Sequence, residues 1–273
     1  MYKKILVSLD DFFYKKLMRN ALKLSKLGYG FVVSGAESGV NFEHVYDDKA
    51  IGRFVIGKYV DRALLNLPAV QATRARKDEI KNILWNEVYN NRIKEKVTTV
   101  LDLASGGARY LRELREEHNQ GWIFSLCVDR DSKCTSMGTK LTQKENVKNI
   151  RFFAADVFKM ERLKKFAQKK HRQIDIVVAS GIFIYFKDDV VEKMLREIYG
   201  ALPQGGLVIF TSYEKLNTRK LMRKAMVTSS GEQWTLYYRK PEYWRELLNE
   251  IGFRDVFISR DKWLMNNVCY ARK

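Results

Sequence analysis

The chain has 273 residues, of which 46% are hydrophobic, so it can form one large domain or a domain with a substantial extension. Its apolar runs stay well short of the ~20 residues that a membrane-spanning helix needs, and its three cysteines and three histidines lack metal-ligand spacing. Neither a membrane span nor a metal site is therefore expected. The formal net charge of +18 favours a polyanion or an anionic membrane as partner, or a lysine-rich surface that serves only solubility.

The start of the chain is basic, and its apolar part is too short for a signal peptide. Cys127 and Cys269 fall in predicted strands, where a free thiol fills core space. These features predict a cytoplasmic protein, with peripheral contact to an anionic membrane left open.

Residues 10–27 have the spacing of a helix that Asp10 or Asp11 caps and Gly28 ends. Apolar residues fall on one face (Phe13, Leu17, Leu24 and Leu27) and basic residues on the opposite face (Lys15, Arg19, Lys23 and Lys26). Such a basic amphipathic helix either lies on an anionic membrane or packs on the main domain with its basic face in solvent.

Residues 30–47 are rich in glycine and serine, which predicts a loop with special backbone angles. Polar side chains crowd at its end, at Asn41, Glu43, His44 and Tyr46. His44 is the first candidate for a catalytic base and Tyr46 the second; the alternative is a structural histidine.

A helix containing Asp61 is predicted next, followed by a break at Asn66-Leu67-Pro68 and a long helix over 68–90. We therefore expect a helical and loop cap over 1–67 and a main domain over 68–273.

The main domain opens with a strand, a tight turn and a helix start over 97–111. The glycines at 106 and 107 permit the turn, and the free N–H groups of the following helix point back into it. Asp102 suits a ligand with a cation or hydroxyls better than a phosphate. Ala104 and Ala108 stand where glycine is more usual, and the alternative is an ordinary strand-to-helix turn with a capping serine.

Strand-like runs then alternate with helical ones. Strands are predicted over 122–128, 150–153, 174–179 and 207–211, and helices over 132–142 and 187–200. Asp129 ends the second strand and is positioned for two ribose hydroxyls, Asp156 follows the third, and Ser180 follows the fourth. A final helix over 241–251 and two strands, 253–259 and 263–270, predict a closing antiparallel hairpin.

At these strand ends, from residue 97 onward, the chain resembles the class I S-adenosylmethionine-dependent methyltransferases. The resemblance implies a Rossmann-like α/β fold with a seven-stranded sheet, here preceded by an N-terminal helical extension. It implies S-adenosyl-L-methionine as cofactor, an Asp156 side chain on the adenine amino group and the next backbone N–H on a ring nitrogen. The candidate cofactor-binding residues are Asp102, Ala104, Ser105, Gly106, Asp129, Arg130, Asp156, Val157 and Ser180.

The extension resembles a narrower bacterial methyltransferase family whose members occur alone or fused behind an α/β-hydrolase domain. The shared residues are Ser34-Gly35, Ser38-Gly39, Gly52-Arg53, 61–66, Ser180-Gly181 and Gln233-Trp234. In that family we expect an acidic residue just after the Ser-Gly pair. This chain lacks it and has Ile184 near that position.

Three functions stay open. The first is methylation of a small molecule or lipid, in a pocket closed by the extension and by the insertion over 213–239, which includes Arg219. The second is methylation of RNA or protein; the Asn/Asp-Pro-Pro-aromatic motif of amino-group methylation is absent at 180–183. The third is a non-catalytic nucleotide-binding fold. The acceptor and the oligomeric state stay undetermined.

Overall fold

The computed structural model describes residues 12–118, 121–168, 173–215 and 224–273. Their contacts divide them into two compact units. The first holds 12–74 and 224–235, and the second holds the described parts of 75–215 and 236–273. The division falls inside a long helix rather than at residue 67, and part of the predicted insertion groups with the N-terminal residues.

The first unit is helical. Its elements are a π-helical turn at Phe13–Met18, α1 Arg19–Leu22, α2 Lys26–Tyr29, a second π-helical turn at Gly30–Gly35, α3 Gly39–Asp47, α4 Phe54–Leu65 and the first residues of α5 Pro68–Ile93.

The predicted single helix over 10–27 is wrong in its second half. A new helix begins after Ser25, whose Oγ accepts from the backbone N–H of Gly28 at 2.8 Å. Gly28 therefore lies inside a helix and does not end one. A Cβ at Gly28 would approach the Leu22 carbonyl oxygen to 2.3 Å, so glycine permits close packing at this position. Asp10 and Asp11, the predicted caps, lie outside the described residues.

The predicted loop over 30–47 is also wrong, because most of it is helical. Gly30 makes room for the side chain of Asn41, whose Oδ1 would lie 2.2 Å from a Cβ at that position. Asn41 in turn donates from Nδ2 to the carbonyl oxygen of Gly35 at 2.7 Å. The glycines thus serve a close helix approach, which composition alone does not distinguish from a loop.

The second unit is a seven-stranded sheet in the order β3-β2-β1-β4-β5-β7-β6. The strands are β1 Thr98–Leu103, β2 Ile123–Asp129, β3 Ile150–Ala154, β4 Ile176–Ala179, β5 Leu207–Tyr213, β6 Arg254–Arg260 and β7 Asn266–Arg272. The first five are parallel, and β7 runs antiparallel to both of its neighbours. The predicted seven-stranded α/β sheet with a closing hairpin is confirmed.

Helices cover both faces of this sheet, so its central strands are buried on both sides, and every residue of β1 and β5 is buried. One face packs on α5 and on α6 (Arg109–His118), and the other on α9 (Asp188–Ala201) and α10 (Pro241–Ile251), where Trp244 is fully buried. The helices of this unit are the remainder of α5, α6 Arg109–His118, α7 Ser132–Lys144, α8 Met160–Gln168, α9 Asp188–Ala201 and α10 Pro241–Ile251.

Within the described residues, no helix is both long and apolar enough to cross a membrane.

Candidate active site

The turn after β1 lies at the carboxyl edge of the sheet, where open α/β sheets bind their ligands. Ala104, Gly106 and Ala108 all have left-handed backbone angles, with φ of 55°, 53° and 51°. This conformation costs an alanine roughly 1–2 kcal/mol. The turn is held by hydrogen bonds from the Ser105 N–H to the Val128 carbonyl at 3.0 Å and from the Ala108 N–H to the Ser105 carbonyl at 2.8 Å.

Asp102 is completely buried within β1. Its Oδ1 accepts a hydrogen bond from the Tyr110 hydroxyl, whereas its Oδ2 has no hydrogen-bond partner among the described residues. Burial raises the pKa of this carboxyl to about 8, against the lowering effect of the Tyr110 hydrogen bond and with a smaller contribution from the charge of Asp129. The Ser105 Oγ in the turn is likewise buried without a partner in the described part of the chain.

Asp129 ends the adjacent strand. Its two carboxylate oxygens accept backbone N–H groups, one from Gly106 and one from Asp131, each at 2.9 Å. Burial raises the pKa of Asp129, and these two hydrogen bonds oppose the shift. The carboxylate is thereby fixed in orientation beside the glycine turn, while the next residue, Arg130, is exposed.

The ends of β3 and β4 carry the other predicted residues. Asp156 is exposed and accepts the N–H of Phe158 at 3.0 Å, while Val157 is buried beside it. Ser180 is half-buried directly after β4, and Gly181 follows with φ of 74°. All nine predicted cofactor residues therefore lie at or just after the carboxyl ends of the first four strands.

A protein-family model described as "Putative methyltransferase" matches residues 3–273, almost the whole chain. The chain belongs to this methyltransferase family. The resemblance predicted from the sequence is thereby confirmed, while the α/β-hydrolase fusion stays a prediction. The uncharacterized protein YnbC of Escherichia coli K12 is 23% identical over 266 residues, which are 94% of this chain and 44% of that protein. The chain thus spans less than half the length of that relative.

Two solved structures support the fold. A possible exported protein from Bordetella parapertussis has a TM-score of 0.71 at 18% identity, over 93% of this chain and 85% of that chain. The magnesium protoporphyrin IX methyltransferase ChlM from Synechocystis PCC 6803, solved with bound SAH, has a TM-score of 0.55 at 11% identity, over 76% and 87% of the two chains.

Three residues that lie beside these strand ends were missed from the sequence. Tyr110 was counted only as an apolar helix position, yet its hydroxyl meets Asp102. Thr211 accepts the Gly181 N–H at 2.7 Å and so fixes the backbone after β4. The buried guanidinium of Arg76 lies beside Gly181 and 5.9 Å from the ring centre of Tyr213. No local motif marks these residues, because each one contacts a residue of another helix, strand or loop.

Part of the predicted pocket-covering segment is held onto the loop after β4. Arg239 is buried and donates to the carbonyl oxygens of Phe183 and Phe186 at 3.0 and 2.6 Å and to the Asp188 carboxylate at 2.7 Å. A depression of about 390 Å³ lies beside it, lined by Asp188, Tyr237, Tyr238, Arg239, Lys240, Glu242, Tyr243 and Glu246. Arg219 and residues 216–223 lie outside the described residues.

The two candidate catalytic residues belong to the first unit, on α3. The Nε2 atom of His44 lies 3.8 Å from Oδ2 of Asp61. Burial lowers the pKa of His44, against the opposing effect of the Asp61 charge. The imidazole is therefore neutral at pH 7. Tyr46 follows two residues later and is half-buried. Of the other two histidines, His118 stacks on Trp85 with ring centres 3.7 Å apart, and His171 lies outside the described residues.

Proposed function

We propose that this chain binds S-adenosyl-L-methionine at the carboxyl ends of β1 to β4 and transfers its methyl group to a small-molecule or lipid acceptor. The observation that carries the proposal is the buried Asp102, whose Oδ2 lacks a hydrogen-bond donor among the described residues. An unsatisfied buried carboxylate oxygen is costly unless a ligand completes it.

The polar groups at these strand ends fit this cofactor. Asp102 and Asp129 place two carboxyl groups at neighbouring strand ends, and in their ionised form such groups accept from ammonium and ribose hydroxyl groups. Asp156 and the Val157 backbone follow β3, as the family's adenine site requires. When bound, the cofactor supplies an activated methyl group on a sulfonium centre. The protein's own task is then to orient the donor and acceptor and to exclude water.

His44 remains our proposed base for a hydroxyl acceptor, with Tyr46 as the second candidate. A neutral imidazole can accept the proton of the attacking hydroxyl, and the carboxylate of Asp61 can stabilise the cation that results. This assignment is a proposal about the acceptor step only, since a sulfonium donor needs no base to be reactive.

We also propose that the protein acts in the cytoplasm. Support comes from Cys127, Cys134 and Cys269, which are buried and form no disulfide bond in the described part of the chain, as suits a reducing compartment.

The test begins with calorimetric titration of S-adenosylmethionine and S-adenosylhomocysteine, with NAD as control. We expect saturable binding of the first two and none of NAD. Asp129→Ala should weaken this binding, whereas Asp189→Ala, an exposed acid on α9, should leave it unchanged. Absence of cofactor binding, or equal binding of NAD, would contradict the proposal.

Acceptors are then sought by transfer of a labelled methyl group to lipid extracts, small-molecule extracts, total RNA and protein. Label in the lipid or small-molecule fraction supports the proposal. Label only in RNA or protein would contradict the acceptor class while leaving the cofactor site intact.

A further inference from the structure

Helix α4 presents apolar side chains to solvent. Its buried residues are Gly57, Asp61, Leu64 and Leu65, and its N-terminal half turns outward four large side chains. Phe54, Val55, Ile56 and Tyr59 are 83%, 69%, 65% and 74% exposed. We call these four residues the α4 apolar face. The N-terminal half of α4 therefore departs from the usual amphipathic pattern, because its large hydrophobic side chains lie in solvent while the Asp61 carboxylate is buried.

Asp61 fixes this orientation. Its carboxylate is fully buried and accepts hydrogen bonds from the Ser25 hydroxyl, from the Leu27 N–H at 3.0 Å and from the Ile51 N–H at 2.9 Å. Rotating α4 to bury the apolar face would break all three bonds and leave a charge without partners. The exposure of the α4 apolar face is therefore a fixed property of the first unit.

The backbone at the start of α4 adds a second sign of constraint. Phe54 has φ of 55°, a left-handed angle that is unfavourable for a bulky residue. This ring is also the most exposed of the four side chains. Such strain persists only where the surrounding structure imposes it, and it is typical of functional positions.

The neighbouring segment continues the apolar surface. The Arg53 N–H bonds the Leu24 carbonyl at 3.1 Å, so the start of α4 lies against the chain at Leu24, whose side chain is 41% exposed. Earlier in the same unit, Phe12, Phe13 and Leu17 are 58%, 41% and 61% exposed. Of the predicted apolar face of residues 10–27, Phe13, Leu17 and Leu24 are thus exposed to solvent, whereas Leu27 is buried.

The charges within the two segments that carry these side chains have a single sign. Residues 12–36 contain five lysines and arginines and no acidic residue, and residues 49–60 contain three and none. The cations are Lys15, Lys16, Arg19, Lys23, Lys26, Lys49, Arg53 and Lys58. Lysine is depleted at protein–protein interfaces, whereas lysine beside exposed aromatic and aliphatic groups is typical of surfaces that contact anionic bilayers.

We propose that the α4 apolar face, together with these flanking cations, docks the first unit on the surface of a bilayer that contains anionic lipids. The four apolar side chains enter the interfacial region, and the lysine ammonium groups remain at the level of the lipid phosphates. The proposal does not depend on the cofactor or on the methyl acceptor.

The test is flotation of the full chain with vesicles of phosphatidylcholine alone or with 30% phosphatidylglycerol, without cofactor. The test variant is Ile56→Ser/Tyr59→Ser. The matched control is Ile93→Ser/Tyr89→Ser on α5, where the same residue types are 67% and 50% exposed. Circular dichroism and thermal unfolding establish that both variants fold.

We expect the full chain to bind the phosphatidylglycerol vesicles, with binding lost in 0.5 M NaCl. The test variant should bind at least tenfold more weakly, and the control variant should bind as the unchanged chain does. Failure of the full chain to bind anionic vesicles, or an equal loss in both variants, would overturn the proposal. So would a chain that is oligomeric in solution and becomes monomeric only in the test variant, because the α4 apolar face would then be a protein interface.

Discussion

The two units of the molecule each bury an aspartate completely, and the two residues differ in what surrounds them. Asp61 in the first unit accepts a hydroxyl and two backbone N–H groups and lies 3.8 Å from His44. Asp102 in the second unit accepts only the Tyr110 hydroxyl, and its other oxygen has no hydrogen-bond partner in the described residues. Equal burial therefore does not mean equal function.

A buried carboxylate with a full set of donors stabilises the fold, whereas one with an unsatisfied oxygen destabilises it until a ligand completes the set. This contrast indicates a structural role for Asp61 and supports the binding role that we propose for Asp102. Removing each carboxylate should thus have opposite effects on stability and on cofactor affinity.

The largest effect is expected for Asp61→Ala. The substitution leaves the Ser25 hydroxyl and the N–H groups of Leu27 and Ile51 buried without an acceptor, which should lower the free energy of unfolding by about 3–5 kcal/mol. Urea denaturation measures the loss. The control is Asp189→Ala, whose free energy of unfolding should differ from that of the unchanged chain by less than about 1 kcal/mol. The affinity for S-adenosylmethionine at low urea should change less than about threefold. A larger change would contradict a purely structural role for Asp61.

His44→Gln tests the proposed base next to Asp61. We expect kcat to fall about 100-fold with the Kd for S-adenosylmethionine unchanged, because general bases contribute at least that much. In the unchanged enzyme kcat should fall at pH values below the ordinary imidazole pKa, since burial lowers the pKa of His44. A small change in kcat with lower stability would instead make His44 a structural partner of Asp61.

Asp129→Ala removes the carboxylate at the end of β2. Loss of its acceptor oxygens should weaken cofactor binding by about 1–3 kcal/mol. Calorimetry measures this change directly. An unaltered Kd would reject the placement of the ribose at this strand end and would leave Asp102 as the main anionic contact.

Asp102→Asn should weaken cofactor binding and yet stabilise the chain at high pH. Burial raises the pKa of Asp102 to about 8 in the folded chain, against about 3.9 for an unfolded aspartate. The folded state holds a proton that the unfolded state releases, so stability falls as pH rises from about 4 to about 8.

The asparagine variant lacks this fall. Its advantage in the free energy of unfolding should be smallest at pH 4 and should increase steadily up to pH 8, as measured by urea denaturation at each pH. A constant difference across this range would show that Asp102 is ionised throughout.

The smallest effect is expected for Ala104→Gly. Glycine adopts the left-handed angle at this position without strain, so stability should rise by about 0.5–1 kcal/mol and cofactor affinity should be preserved. Thermal unfolding and titration check both. Loss of affinity would show that the alanine methyl group helps to shape the turn.

Much of the second unit could be predicted from sequence. The strand that opens 97–111 and the strands over 122–128 and 207–211 were recognisable because a parallel sheet covered on both faces requires largely apolar runs. Two of the acids at strand ends were recognisable in the same way, since Asp129 is the last residue of β2 and Asp156 comes two residues after β3. The side chains that support them, Tyr110, Thr211 and Arg76, were missed because contacts between distant elements leave no local pattern.

The first unit was predicted less well. Its glycines were interpreted as loop residues, whereas Gly28 and Gly30 permit close packing of helices. The helical spacing around Phe13 and Leu17 predicted an apolar face but not whether a partner covers it. The inward position of Asp61 depends on donors 10 to 36 residues away.

The sequence by itself determined the alternation of strands and helices, the glycine turn and the methyltransferase resemblance, because these depend on periodicity and on residues close together in the chain. Only the tertiary structure decided which buried acid is satisfied and which apolar residues remain in solvent. Both properties depend on what the rest of the fold brings next to a side chain, and local spacing does not encode that.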